Sequence, residues 1–212
     1  MARERTSVSS RGDAAAGGGS VSLAHATHEV WRIAWPTVLT MTSYTVMQFI
    51  DKLMVGQVSP LAVAAQGNGS IWTYVPIGVL LGFLTVVNTY VSQNLGAGTP
   101  ERGPRYAGAS VWIALAVWVA LLLPYAAVLP WVFERLHDPA RIEAYDDLVA
   151  MESTYGRILL YGAIFQLAGR GFHHFFFGLH RPKVVTVAAV SGNVTNVVMN
   201  YVLIFGSEGI PA

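Results

Sequence analysis

The sequence contains no cysteine and little charge. Of its 212 residues only 12% are Asp, Glu, Lys or Arg, about half the share of a soluble domain, which is roughly 25%. Without cysteine there are no disulfides and no thiolate metal sites, and compartment is left open. Basic and acidic residues nearly balance, 13 against 12, for a net charge of +1. That leaves no basic field of the kind that binds nucleic acid, so no nucleic-acid partner is expected. Phosphate loop, nucleophile triad and dinucleotide fingerprint are absent too, and the chain is not expected to be an enzyme. Its 6 histidines form no helically spaced boxes, and the adjacent His173 and His174 point to different faces of a helix. Neither a metal nor another cofactor is expected.

What is there is apolar: 53% of residues are hydrophobic, gathered into runs long enough to cross a bilayer. The first 24 residues are the exception, with Arg3, Arg5 and Arg11 scattered through Ser, Ala and Gly. They hold no apolar core for a cleaved signal peptide and read as a disordered tail; the triplet Arg11-Gly12-Asp13 within them is read as chance. Residues 25–212 form the membrane part, with spans expected at about 29–55, 60–95, 106–133, 154–178 and 184–205. The run Leu53 to Pro100 holds 48 uncharged residues, roughly 72 Å as one helix, over twice the hydrocarbon thickness.

Charge counting chooses between one span and two in that run. With one span and a cytosolic N-terminus, Lys and Arg divide nine inside to four outside; two spans give seven to six. The positive-inside rule therefore favours one long span, kinked near Gly67-Asn68-Gly69 or Pro76. The acidic stretch holding Glu134, Asp138, Glu143, Asp146, Asp147 and Glu152 then lies outside, as a loop or short surface helix. Five spans is an odd count, which suggests a fragment of something longer.

The first span carries the chemistry. Ile33 to Ile50 is uncharged, and a carboxylate follows at Asp51. Counting back gives Gln48, Tyr44 and Thr40, steps of three, four and four that share one helix face. A polar stripe is costly in lipid unless it faces protein or water, so this helix should line a cavity with an acid near one end. A carboxylate in a poorly hydrated cavity prefers its neutral form, so Asp51 can take up and release a proton; among oxygen donors it can equally hold Na⁺. The plainer reading is a headgroup acid beside a snorkelling Lys52. In the fifth span Asn196 and Asn200 share a face and offer carboxamides to a cation or to Asp51. The alternative for them, and for Asn193, is interhelical hydrogen bonding.

Several pieces stand along the chain in a set order: Trp31-Arg32-Ile33-Ala34-Trp35-Pro36, Phe49-Ile50-Asp51 with Met54-Val55-Gly56, and Ala64-Ala65. Val91-Ser92-Gln93-Asn94-Leu95-Gly96-Ala97-Gly98 follows, then Gly178 with Arg181-Pro182, and Asn196 to Asn200 with Tyr201-Val202-Leu203-Ile204-Phe205-Gly206. In this order and spacing they resemble the multidrug and toxic compound extrusion (MATE) family. The resemblance implies an all-α polytopic membrane protein, here five transmembrane helices of an incomplete six-helix N-terminal lobe. The sixth helix and the C-terminal lobe of the twelve-helix antiporter would be missing.

It also implies a cation-linked acid at Asp51 with partners Asn196 and Asn200, and a bend near Pro36. Some members carry a second acid where this chain has Asn200, which makes the site less negative. The function expected on this footing is H⁺- or Na⁺-coupled export of cationic or amphipathic molecules across the cytoplasmic membrane. Thr40, Tyr44, Gln48, Trp72 and Gln166 are the candidate substrate-cavity residues. A lipid-linked oligosaccharide flippase of related architecture is the alternative, although only Arg170 is available to meet its pyrophosphate. A non-functional truncated fragment is the third possibility.

Overall fold

The computed structural model describes residues 23–206. Residues up to 22 and from 207 onward lie outside the described residues, so most of the expected tail is not described, and Leu23 and Ala24 already belong to the first helix. The described residues are helical throughout, with short connections. In chain order they form α1 (Leu23–Gly56), α2 (Pro60–Leu84), α3 (Val86–Gly96), α4 (Gly103–Val117), α5 (Leu123–Leu136), α6 (Tyr145–Gly178) and α7 (Pro182–Phe205). α2 and α3 run on as one rod, as do α4 and α5, so the described residues make five rods. Three of them are long and apolar enough to cross a membrane: Pro60–Gly96, Pro100–Leu136 and Pro182–Phe205. α1 and α6 are long enough but carry more polar residues, the threonines and Gln48 in one, Arg157, Arg170, His173 and His174 in the other.

Proline opens α2 and α7, where its missing N–H costs nothing, and Ser59 caps α2 by accepting from Ala62 N at 3.0 Å. Inside the rods, proline leaves a carbonyl one turn back without its helical donor. Neighbouring helices supply two of these donors. Pro76 frees the carbonyl of Trp72, which accepts from the Tyr125 hydroxyl at 3.1 Å. Pro130 frees that of Ala126, which accepts from Arg157 Nε at 3.1 Å. Pro124 follows a five-residue π-helical turn, Trp118–Leu122, that joins α4 to α5.

The long second rod is interrupted at Thr85, not at the glycines or Pro76 where the sequence pointed. There the hydroxyl of Thr85 donates to the carbonyl of Gly82 at 2.7 Å, a back-bond that competes with the helical ladder. Pro76 leaves α2 continuous because Tyr125 replaces the lost partner.

α6 is the central post. It packs on α2, α3, α4 and α5, and the core between them is built from Ile77, Leu81, Leu122, Leu129, Phe133, Leu160 and Leu167. α1 packs mainly on α7, and this pair meets the rest through lighter α1–α2 and α6–α7 contacts. The outside is apolar: Phe165, Trp112 and Phe83 are 81%, 72% and 71% exposed. Large exposed apolar surface of this extent fits hydrocarbon as its solvent.

Candidate functional site

The polar stripe of α1 meets α7 along its length. Near the start of α7, Thr186 is buried against Pro36. Its hydroxyl lies 3.2 Å from the Pro36 carbonyl and 3.2 Å from that of Pro182, and it accepts from Thr40 at 3.3 Å. The single hydroxyl proton of Thr40 can go instead to the Pro36 carbonyl, which lies 2.8 Å away. The bend-position proline is thus held by two threonines, one from each helix. Two turns further along, Asn193 Nδ2 donates to Ser43 Oγ at 2.8 Å.

The acid comes last. Asp51 is half-buried, and its Oδ1 accepts from Asn200 Nδ2 at 2.9 Å. Asn196, one turn before Asn200, places one terminal atom of its carboxamide 3.2 Å from Oδ1 and 3.3 Å from Oδ2 of Asp51. With nitrogen in that position, Asn196 donates to the carboxylate. With oxygen there, it accepts from Asn200 Nδ2 at 3.2 Å and faces the two carboxyl oxygens. The second arrangement repels an ionised carboxylate and suits a protonated one, whose O–H donates. It also suits a shared small cation, since that is about the spacing of neighbouring oxygens bound to an ion at roughly 2.4 Å. Among the described residues Lys52 makes no ion pair with Asp51.

The other sequence-derived residues are dispersed. Gln48 Nε2 donates to the Tyr44 hydroxyl at 2.8 Å, on the exposed part of the same stripe. Trp72 on α2 and Gln166 on α6 are exposed and make no side-chain hydrogen bond to the Asp51 group. Helical spacing brought Asp51, Asn196 and Asn200 into view; nothing in the sequence joins Trp72 or Gln166 to them.

One buried acid escaped the sequence reading. Glu152 is not in an external loop but in the second turn of α6, and it is 0% exposed. Asn68 Nδ2 from α2 donates to its Oε1 at 2.8 Å, and His137 Nε2, just past α5, meets Oε2 at 2.8 Å. Each carboxylate oxygen has a partner, which is the condition for burying it. The signal missed was that α6 begins at Tyr145, so the acid-rich stretch is partly the first turns of a packed helix.

Comparison with known proteins adds descent to this geometry. The chain is 32% identical over 188 residues to a probable multidrug resistance protein NorM of Pseudomonas syringae, covering 86% of the chain and 39% of that protein. It is 31% identical over 191 residues to the multidrug resistance protein PmpM of Pseudomonas aeruginosa, at 86% and 37%. A probable NorM of Bacillus subtilis is 28% identical over 185 residues, at 87% and 39%. The chain therefore spans about two fifths of the length of the curated relatives it matches. No solved structure matches it. The profile of the MatE family matches residues 36–202, from Pro36 in α1 to Val202 in α7. That stretch takes in part or all of each of the five rods together with Asp51, Asn196 and Asn200, and the chain belongs to the MatE family of membrane transporters.

Proposed function

We propose that this chain is the N-terminal part of a cation-coupled antiporter that exports cationic or amphipathic small molecules across the cytoplasmic membrane. The N-terminus would be cytosolic and Asp51 near the external side. The observation that carries the reading is the Asp51 carboxylate held between helices by two carboxamides, Asn200 and Asn196 of α7. A fixed ion pair would neutralise the acid permanently. Amides leave it free to change charge, and an amide that turns over matches both states. Ionised, Asp51 accepts from Asn196 and Asn200. Protonated or cation-bound, it is met by the Asn196 oxygen.

Because Asp51 is on α1 and both asparagines are on α7, the state of the acid bears on how these two helices meet. In an antiporter whose lobes rock about a central cavity, a cation arriving from outside at Asp51 would favour the release of substrate held by Tyr44, Gln48, Trp72 and Gln166. Exchange follows because each ligand shifts the conformational equilibrium by its differential affinity. H⁺ is favoured over Na⁺ by the neutral residue at Asn200, which leaves a single carboxylate. The test is cation-dependent dye efflux in vesicles bearing the complete protein. Asp51→Asn should express normally and lose efflux; unchanged drug resistance in that variant defeats the assignment.

A further inference from the structure

Beside the connection from α5 to α6, away from the α1–α7 seam, lies an open cleft of about 740 Å³. It is lined by Trp131, Glu134 and Arg135 of α5 and by Asp146, Ser153 and Arg157 of α6, among others. Three observations set it apart from an ordinary solvated surface. Arg157 is half-buried on α6, which is long enough to cross the bilayer, yet among the described residues it has no carboxylate partner. Its Nε is committed to the Ala126 carbonyl that Pro130 leaves free, and its two Nη groups have no protein partner among the described residues. Ser153, one turn before Arg157 and 6% exposed, carries a hydroxyl with no hydrogen-bond partner. Arg135 lies 5.6 Å from the centre of the Trp131 ring, so its stem and guanidinium are laid along one wall.

Depth decides what can enter. α6 has 34 residues, roughly 51 Å, against a hydrocarbon core of about 30 Å. With its overhang shared between the two ends, Arg157 sits about 8 Å inside the boundary on the side of the α5–α6 connection, within reach of the headgroups. An arginine at that depth calls for an anion, and a phosphodiester is the anion the bilayer offers there. Arg157 and Arg135 can donate to its oxygens, and Ser153 supplies a further donor. Glu134 and Asp146 add two exposed carboxylates to the same wall, which suit an ammonium and oppose a purely anionic headgroup.

We propose that this cleft is a binding site for one zwitterionic phospholipid of the phosphatidylethanolamine type. The two arginines and Ser153 take the phosphate, Glu134 and Asp146 take the amine, and Trp131 lies against the glycerol region. The site depends on the chain being a membrane protein and is independent of the antiport reading.

The test is native mass spectrometry of the complete protein, purified in mild detergent after exposure to equimolar phosphatidylethanolamine and phosphatidylglycerol. Wild type should retain one phosphatidylethanolamine, at least tenfold over phosphatidylglycerol. Arg157→Gln should lose most of that adduct. Should that variant fail to fold, for want of a donor to Ala126, the exposed Glu134→Gln/Asp146→Asn pair stays informative: it should keep a lipid and lose the preference, with a ratio near one. Equal retention of both lipids by wild type, a preference for phosphatidylglycerol, or an unchanged ratio in the Glu134/Asp146 variant overturns the proposal. Dye efflux is not part of the readout, so its failure leaves the transport assignment untouched.

Discussion

Asp51 and Glu152 each accept hydrogen bonds from other helices, and their surroundings are built differently. Glu152 is sealed, with one partner per oxygen from α2 and from the end of α5. Removing it leaves Asn68 and His137 without their partner in a packed junction, so Glu152→Ala should cost about 1–3 kcal/mol for each group left unsatisfied. Glu152→Gln, which keeps the volume and one acceptor, should cost clearly less. Thermal unfolding of the purified complete protein reads both, and an alanine variant as stable as wild type contradicts the clamp. Asp51 by contrast keeps amide partners that tolerate a change of charge. Asn200→Asp would place a second carboxylate beside it, and a second anionic oxygen donor suits a hard metal cation such as Na⁺ better than a lone carboxylate does. In vesicles with the complete protein, efflux should then become stimulated by Na⁺ at constant pH; a response identical to wild type counts against a cation site there. Asp51, Asn196 and Asn200 were legible because helical spacing alone puts each on a defined face. Glu152 was not, because its burial depends on where α6 begins and on which residues of α2 and α5 lie opposite.

At the scale of elements, the interior prolines Pro76 and Pro130 are answered by donors from neighbouring helices. Tyr125→Phe should leave the Trp72 carbonyl unpaired and cost about 1–3 kcal/mol. In a Pro76→Ala background, where residue 76 can again donate along α2, the same substitution should cost close to nothing. Additive effects in that double-mutant cycle, read by thermal unfolding, would show that the Tyr125 bond is incidental. Close approach of α6 to its neighbours is equally specific. A Cβ on Gly178 would meet Val91 Cβ at 2.7 Å and the Asn88 carbonyl at 2.9 Å, and one on Gly156 would meet Leu129 Cδ2 at 2.5 Å. Gly178→Ala should therefore destabilise by about 1–3 kcal/mol through overpacking, against backbone that cannot swing aside. Apolar run lengths made the rods themselves readable from sequence. The break at Thr85 was not readable, since a threonine back-bond leaves no composition signal, whereas the glycines and proline that do leave one were accommodated.

For the whole molecule, the arrangement separates a seam that holds the acid, α1 with α7, from the larger group around α6. If cation and substrate drive opposite movements of these parts, their affinities are linked, and linkage is reciprocal. Whatever factor the bound cation takes from substrate affinity, the substrate must take from cation affinity. A proton-coupled protein should therefore release protons when substrate is added at a pH where Asp51 is partly protonated. A pH difference of one unit is worth about 1.4 kcal/mol per proton, so tightly coupled one-for-one exchange driven by it sustains at most about a tenfold gradient of a neutral substrate. The measurement is proton release from the purified complete protein, in weak buffer, on adding a cationic dye. Wild type should release up to one proton per Asp51 site, with the amount passing through a maximum as pH is varied. Asp51→Asn should still bind the dye, read by its fluorescence, and lose the part of the release that this acid supplies. Undiminished release from the variant would place the linked proton elsewhere in the complete protein and remove the α1–α7 seam from the coupling step.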